Sequence, residues 1–256
     1  MNNIYKATKL IGDTYAKQII GENEYIQSWL IHKLKHTFSV SSNIMDLLFQ
    51  EKEIYESFTD SERELVELSA ILHDIGRFYQ HSKGRHLENS EFDHGKFAVE
   101  LLKNNPDFNN PILLFAIEEH NQFSINFENL YYKNLSKHDK KVAEIIAKLL
   151  RDADKLENIK NFVYNGISAL HFNIPDSPLS DEIKGELIAK RQISHELVKS
   201  KIDRIVNGLS WIFDIYFEST KEQIRNLKYI EFGINEVKKY GASDEDCKFL
   251  KEYLKV

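Results

Sequence analysis

The chain has 256 residues and a mass of 30.0 kDa, enough to bury a sizeable core, and its formal charge of −6 comes from 34 basic and 40 acidic residues with interspersed signs. That balance gives little pull toward a nucleic-acid backbone, and the basic run "KHDKK" (137–141) reads as a solvated helix start. A lone cysteine, Cys247, excludes an internal disulfide, and no apolar run approaches the roughly 20 residues a membrane helix needs, so a soluble cytoplasmic protein is expected.

The N-terminal stretch "MNNIYKATKLIGDTYAKQII" lacks an apolar signal core. Leu65, Leu68, Leu72 and Ile75 step by three and four residues, as do Val142, Ile146, Leu149, Ala153 and Leu156. That periodicity predicts helices. "FTDSERE" (58–64) is a helix start with Asp60 or Ser61 as cap, "NNPDFNNP" (104–111) separates two helices, and "LSKHDKKV" (135–142) opens another. The longest ladder, Val198, Ile202, Ile205, Leu209, Ile212 and Tyr216, runs through "VKSKIDRIVNGLSWIFDIYF", while alternation with a period of two is absent. The protein is therefore expected to be all-α. A seam at "FNIPDSPLSDE" (172–182) divides a chemical part, 1–172, from a helical extension, 173–256, expected to pack on the core.

Residues 71–78, "ILHDIGRF", end an apolar helix on a histidine and an aspartate. His36 in "LKHTFSV", His94 in "FDHGKF", His120 in "IEEHNQF" and a late aspartate in "RDADKLEN" (151–158) join them on apolar-periodic segments, so each is expected to point inward or toward a cleft. Buried ionisable groups cost several kcal/mol unless compensated. Imidazole and carboxylate ligands together suit Mn, Fe, Co, Ni or Zn and need no cysteine. Neighbouring helical residues diverge by about 100°, so His73 and Asp74 converge on one ion only at a helix end, which the sequence places before a turn at Gly76. In "RDADKLEN", Asp154 falls in phase with Ala147 and Leu150, whereas Asp152 lines up with Lys148 and is expected nearer solvent. A lone inward histidine is more often a satisfied core residue than a ligand, and periodicity leaves both readings open. His32 reads as a bystander, and His81, His138, His171 and His195 carry no comparable context; His86, in the loop "HSKGRHLENS", is a substrate-contact candidate.

The ordered set H…HD…H…H…D resembles the HD superfamily of metal-dependent phosphohydrolases. "HTFSV", "LHDIGRF", "DHGKFAVELL", "EEHN" and "RDADKLEN" match its motifs in order across about residues 30–160. The resemblance implies a helical-bundle HD domain with His36, His73, Asp74 and Asp154 as a core metal site. His94 and His120 match the extra ligands of binuclear members, with Asp74 bridging two divalent ions drawn from Mn, Fe, Co, Ni, Mg or Zn. It further implies His73 and Asp74 as catalytic residues, Arg77 as a phosphate clamp, and Lys155 as a weaker one. The expected substrate is a small phosphorylated metabolite or nucleotide, with no membrane and no nucleic-acid polymer as partner. "EEHNQFSINF" lacks the glycine-tyrosine-proline string of cyclic-dinucleotide-degrading members. Rival readings are a di-iron HD-like oxygenase, a regulatory module that binds a phosphorylated signal without turnover, and a purely structural helical protein. The oligomeric state, the substrate and the metal are not readable from the sequence.

Overall fold

The computed structural model describes residues 2–82, 92–166 and 174–255, and among the described residues it is helical throughout, with no strand. In chain order the helices are α1 (Asn3–Ile19), α2 (Glu24–Gln50), α3 (Lys52–Ser57), α4 (Asp60–Leu72), α5 (Ile75–Ser82), α6 (His94–Leu102), α7 (Pro111–Glu119), α8 (Leu130–Lys133), α9 (Lys137–Asn165), α10 (Asp181–Ile188), α11 (Lys201–Leu209), α12 (Glu218–Asn226), α13 (Tyr229–Lys239) and α14 (Asp244–Tyr253). The all-α expectation holds. The described chain forms two compact units, Met1–Asp154 and Lys155–Val256, a division that falls inside α9.

Local chemistry sets the helix starts. Thr59, rather than Asp60 or Ser61, caps α4: its side chain accepts from the Glu62 backbone while Glu62 Oε2 accepts from Thr59 N at 2.7 Å, a reciprocal capping box. Asn110 caps α7, whose first residue is Pro111, a position where the missing N–H costs nothing. Asp93 caps α6 and so places His94 at the first helical position.

In the first unit, α4 and α5 form the spine. α1 and α2 pack on both of them, while α7 packs on α4 and α6 packs on α5 and α7. The apolar ladder of α4 continues across the junction: Leu68, Ile71, Leu72, Ile75 and Phe78 are all buried and join Leu30 of α2 and Leu114 of α7 in one core. The junction between α4 and α5 is thus surrounded by α1, α2, α6 and α7.

The chain does not turn at Gly76, as the sequence reading expects. α4 ends at Leu72, and a new helix begins at Ile75, so Gly76 is helical. Its role is close approach: a Cβ there would lie 2.4 Å from the His94 carbonyl oxygen. The ladder from Val198 to Tyr216 is likewise broken, into α11 and a 3-10 turn at Ser210–Asp214.

In the second unit, α13 packs on α11, α12 and α14, and α10 packs on α11. Gly233 lets α13 approach α11, since a Cβ there would come within 2.4 Å of Leu209. Tyr229 is buried with its ring edge-on to Phe162.

Candidate metal centre

α2, a helix of 27 residues, carries His36 inward among Leu30, Val40 and Ile44, and His36 is 2% exposed. His73 is the C-cap of α4 and Asp74 lies between α4 and α5, so the break in the helix turns two neighbouring side chains toward one point. His94 begins α6, and His120 is the C-cap of α7. All five side chains are buried, and they form two groups that share Asp74: His36, His73 and Asp74, and Asp74, His94 and His120. Within each group the candidate ligand atoms lie within 4.8 Å of one another.

The two carboxylate oxygens of Asp74 divide the site between them. Oδ2 faces His36 Nε2 at 3.6 Å and His73 Nε2 at 3.7 Å. Oδ1 faces His94 Nε2 at 3.3 Å and His120 Nε2 at 3.8 Å. Asp154 enters through His36, with Oδ1 at 3.0 Å from His36 Nε2. The residues that the sequence placed on separate helices are therefore brought together, Asp154 included.

The hydrogen-bonding pattern orients lone pairs inward. His73 Nδ1 lies 2.7 Å from the Ala70 carbonyl, and His120 Nδ1 lies 2.6 Å from that of Ile117. A carbonyl only accepts, so both Nδ1 atoms carry the proton and both Nε2 atoms present lone pairs to the centre. His94 Nδ1 accepts from Asn121 Nδ2 at 3.3 Å, so His94 Nε2 carries the proton and meets the His120 Nε2 lone pair at 3.1 Å, whereas His73 Nε2 finds no hydrogen-bond partner among the described residues. A buried acceptor left without a donor is costly unless a cation sits beside it.

Protonation follows the same logic. Burial pushes His73 down to about 4, and burial with the nearby Arg77 holds His94 well below the ordinary imidazole value. For Asp74, burial acts upward, but Lys33 and the surrounding histidines outweigh it and hold the carboxyl well below its usual range. Asp154 is lowered in the same way, burial being outweighed by its hydrogen bond to His36. Neutral imidazoles beside ionised carboxylates are the protonation states that metal ligation requires. The nitrogen and oxygen donors fit a borderline divalent cation.

Several residues that build the site carried no clear signal in the sequence. Lys33, one turn before His36 on α2, places Nζ 2.9 Å from Asp74 Oδ2. Arg151 is 1% exposed; its Nη1 donates to the carbonyls of Glu119 and Gln122 at 2.7 Å and of His120 at 3.2 Å. It closes the C-terminal end of α7, where unpaired carbonyls favour a cation, and so fixes the segment carrying His120. Asp93 accepts from Asn121 Nδ2 at 3.1 Å and Gln122 Nε2 at 2.9 Å, tying the His94 and His120 segments together. Burial pushes the Asp93 carboxyl up, yet these amides and the Lys96 backbone N–H bring it below its ordinary value. Gly95 permits the contact, since a Cβ there would lie 2.5 Å from Asn121 Oδ1.

Two expectations need correction. Asp152, placed near solvent by helical phase, is 0% exposed. The partly exposed positions of this stretch are instead Lys148 and Asp154, with side chains 29% and 22% exposed, while Leu149, Leu150, Ala153 and Leu156 are at 0%. His81 has more context than its sequence neighbours suggest. It is buried, stacks on Trp29 with ring centroids 5.5 Å apart, and is pushed down to about 3 by burial, Lys33 and Arg77. His32 is half-buried beside it and lowered to about 4, mainly by burial and Lys33. Arg77 reaches the site, with Nε 3.6 Å from Asp74 Oδ1. Lys155 lies in the second unit, paired with Asp214 at 2.7 Å. His86 and His171 lie outside the described residues.

A family model for the HD domain matches residues 34–159. This is an HD-domain protein. The match spans every candidate ligand from His36 to Asp154, and the HD domain places the chain in a superfamily of metal-dependent phosphohydrolases whose members bind divalent metals. No curated protein and no solved structure matches the chain. Among the described residues, no helix of this HD protein is long and apolar enough to cross a membrane.

Proposed function

We propose that the chain hydrolyses a phosphate ester of a small metabolite or nucleotide, in a reaction dependent on two divalent cations. The observation that carries this reading is the shared carboxylate. Asp74 offers one oxygen to the pair His36 and His73 and the other to the pair His94 and His120, so one residue serves two ligand groups. Asp154 would complete the first group through its place beside His36, and burial holds His73 and His94 neutral at neutral pH.

When bound, the cations would supply Lewis acidity toward a phosphoryl oxygen and make water acidic enough to attack near neutral pH. The chain's own residues hold the rest. Arg77 is anchored through its Nη1 bond to Gln80 at 2.7 Å, which leaves its guanidinium at the edge of the site, where it would clamp a phosphate oxygen. Attack in line with the departing oxygen forms one P–O bond as the other breaks, and the proton given up by water balances the one taken by the leaving alcohol. The interspersed surface charge favours a small phosphate ester over polymeric nucleic acid.

The test is phosphate release from a panel of phosphomonoesters and phosphodiesters, with Mn, Fe, Co, Ni, Mg and Zn supplied in turn to the wild type and to Asp74→Ala. Turnover that needs metal and falls more than about 10³-fold in the variant is expected, since a cation's share of transition-state stabilisation is several kcal/mol. Equal turnover in Asp74→Ala would sink the mechanism. Silence across the panel with oxygen uptake by iron-loaded protein would replace it with an oxygenase.

A further inference from the structure

Asp74 has a cation on each oxygen as well as a histidine pair. Arg77 stands on the Oδ1 side, next to His94 and His120; Lys33 stands on Oδ2, next to His36 and His73. The two cations are not equivalent. Arg77 approaches only to 3.6 Å and is 20% exposed, whereas Lys33 makes a direct 2.9 Å hydrogen bond and is 11% exposed. The Lys33 ammonium therefore holds the very oxygen that the first ligand group must offer to an ion.

An ammonium and a divalent cation cannot both sit on that oxygen without strong like-charge repulsion in a buried site. Lysine is suited to yield. Its backbone is fixed in mid-helix on α2, but its charge sits at the end of four rotatable carbons, unlike a planar guanidinium held in a fork. Once displaced, a largely buried ammonium has to find another anion. In a phosphohydrolase that anion is the phosphoryl group arriving beside the cations.

We infer that Lys33 is a phosphoryl-binding residue held on Asp74 until a divalent cation takes its place, so that metal loading releases the side chain that binds substrate. The metal-competition half stands on the geometry alone, and the phosphoryl half rests on the phosphohydrolase reading above. A constitutive structural salt bridge would behave differently: its removal would weaken the site for metal and phosphate alike.

Calorimetric titration of Mn²⁺ into metal-free protein, followed by inorganic phosphate into the Mn²⁺-loaded protein, separates these cases. Lys33→Met keeps the unbranched stem and removes the charge. The first Mn²⁺ should bind about tenfold tighter than in the wild type, and phosphate about tenfold weaker or more. Lys33→Gln, which can still donate to Asp74 but carries no charge, should move both constants in the same directions and decides the matter if the methionine variant does not fold. Weakening of both ligands, or no change in either constant, overturns the role of Lys33. Wild-type protein that loads Mn²⁺ yet binds no phosphate overturns the phosphoryl role and the phosphohydrolase reading together.

Discussion

Asp203, in the unit Lys155–Val256, and His73, in the unit Met1–Asp154, are both at 0% exposure, yet their surroundings differ in kind. Asp203 accepts from the Ser180 backbone at 3.0 Å and the Lys199 backbone at 3.1 Å. Beside it, Asn207 donates to the Ile193 carbonyl at 2.7 Å, and Ser210 Oγ accepts from Ile193 N at 3.0 Å. These buried polar groups tie loops to helices and are closed by complementary partners. At His73 the buried Nε2 acceptor is left without a donor, with Lys33 and Arg77 as the cations at hand beside Asp74. Burial alone does not separate a structural polar residue from a functional one. The presence or absence of a complementary partner does.

The sharpest way to break that contrast is Arg151→Met. Arg151 belongs to the first unit but is used as Asp203 is, to close backbone groups, and it does so at the end of α7 that carries His120. Its removal leaves several buried carbonyls unpaired and should lower unfolding free energy by about 3–5 kcal/mol in urea titration, with loss of the second Mn²⁺ in calorimetry. A stable variant with both ions bound would show that α7 needs no such latch.

Acid acts on the metal centre next, and on the second unit through His195, which burial also lowers to about 4. His73 has a folded-state value of about 4 against an ordinary 6.5, so the unfolded chain binds more protons between these limits. The stability it contributes is complete above pH 6.5 and is lost as pH falls toward 4, by about 3 kcal/mol for the metal-free protein. Thermal melts of metal-free wild type and His73→Gln at pH 7 and pH 4.5 would isolate this share from those of His32, His81 and His195, and an equal midpoint drop in both proteins would contradict it. The smallest effect belongs to the second unit. Asn207→Ala removes one buried hydrogen bond and should cost about 1–2 kcal/mol while leaving the Mn²⁺ affinity unchanged. A shifted affinity would link the closed network to the metal centre.

Much of this was legible along the chain because the period of a helix and the chemistry of a ligand are both local. Apolar steps of three and four announced α4 and α9, and the histidines and aspartates on those steps announced the candidate ligands, Asp154 among them. The compositional seam near residue 172 is local too, and it says nothing of contacts, which divide the chain inside α9 instead. Phase reasoning failed at Asp152, because it ranks positions by their own helix alone, whereas the neighbours packed on α9 cover Asp152 and leave Lys148 and Asp154 partly exposed.

The sequence by itself determined the helical class, the order of the ligand-bearing segments and the donor chemistry that calls for a divalent cation. Only the tertiary structure decided which oxygen of Asp74 meets which histidine pair, that Lys33 holds one of those oxygens, and that Arg151 and Asp93 fasten the segments carrying His120 and His94. The reason is physical. Spacing along one helix states which residues share a face, but a contact between helices depends on where glycines such as Gly76 and Gly95 let backbones meet, and on which buried group is left for a neighbour to satisfy.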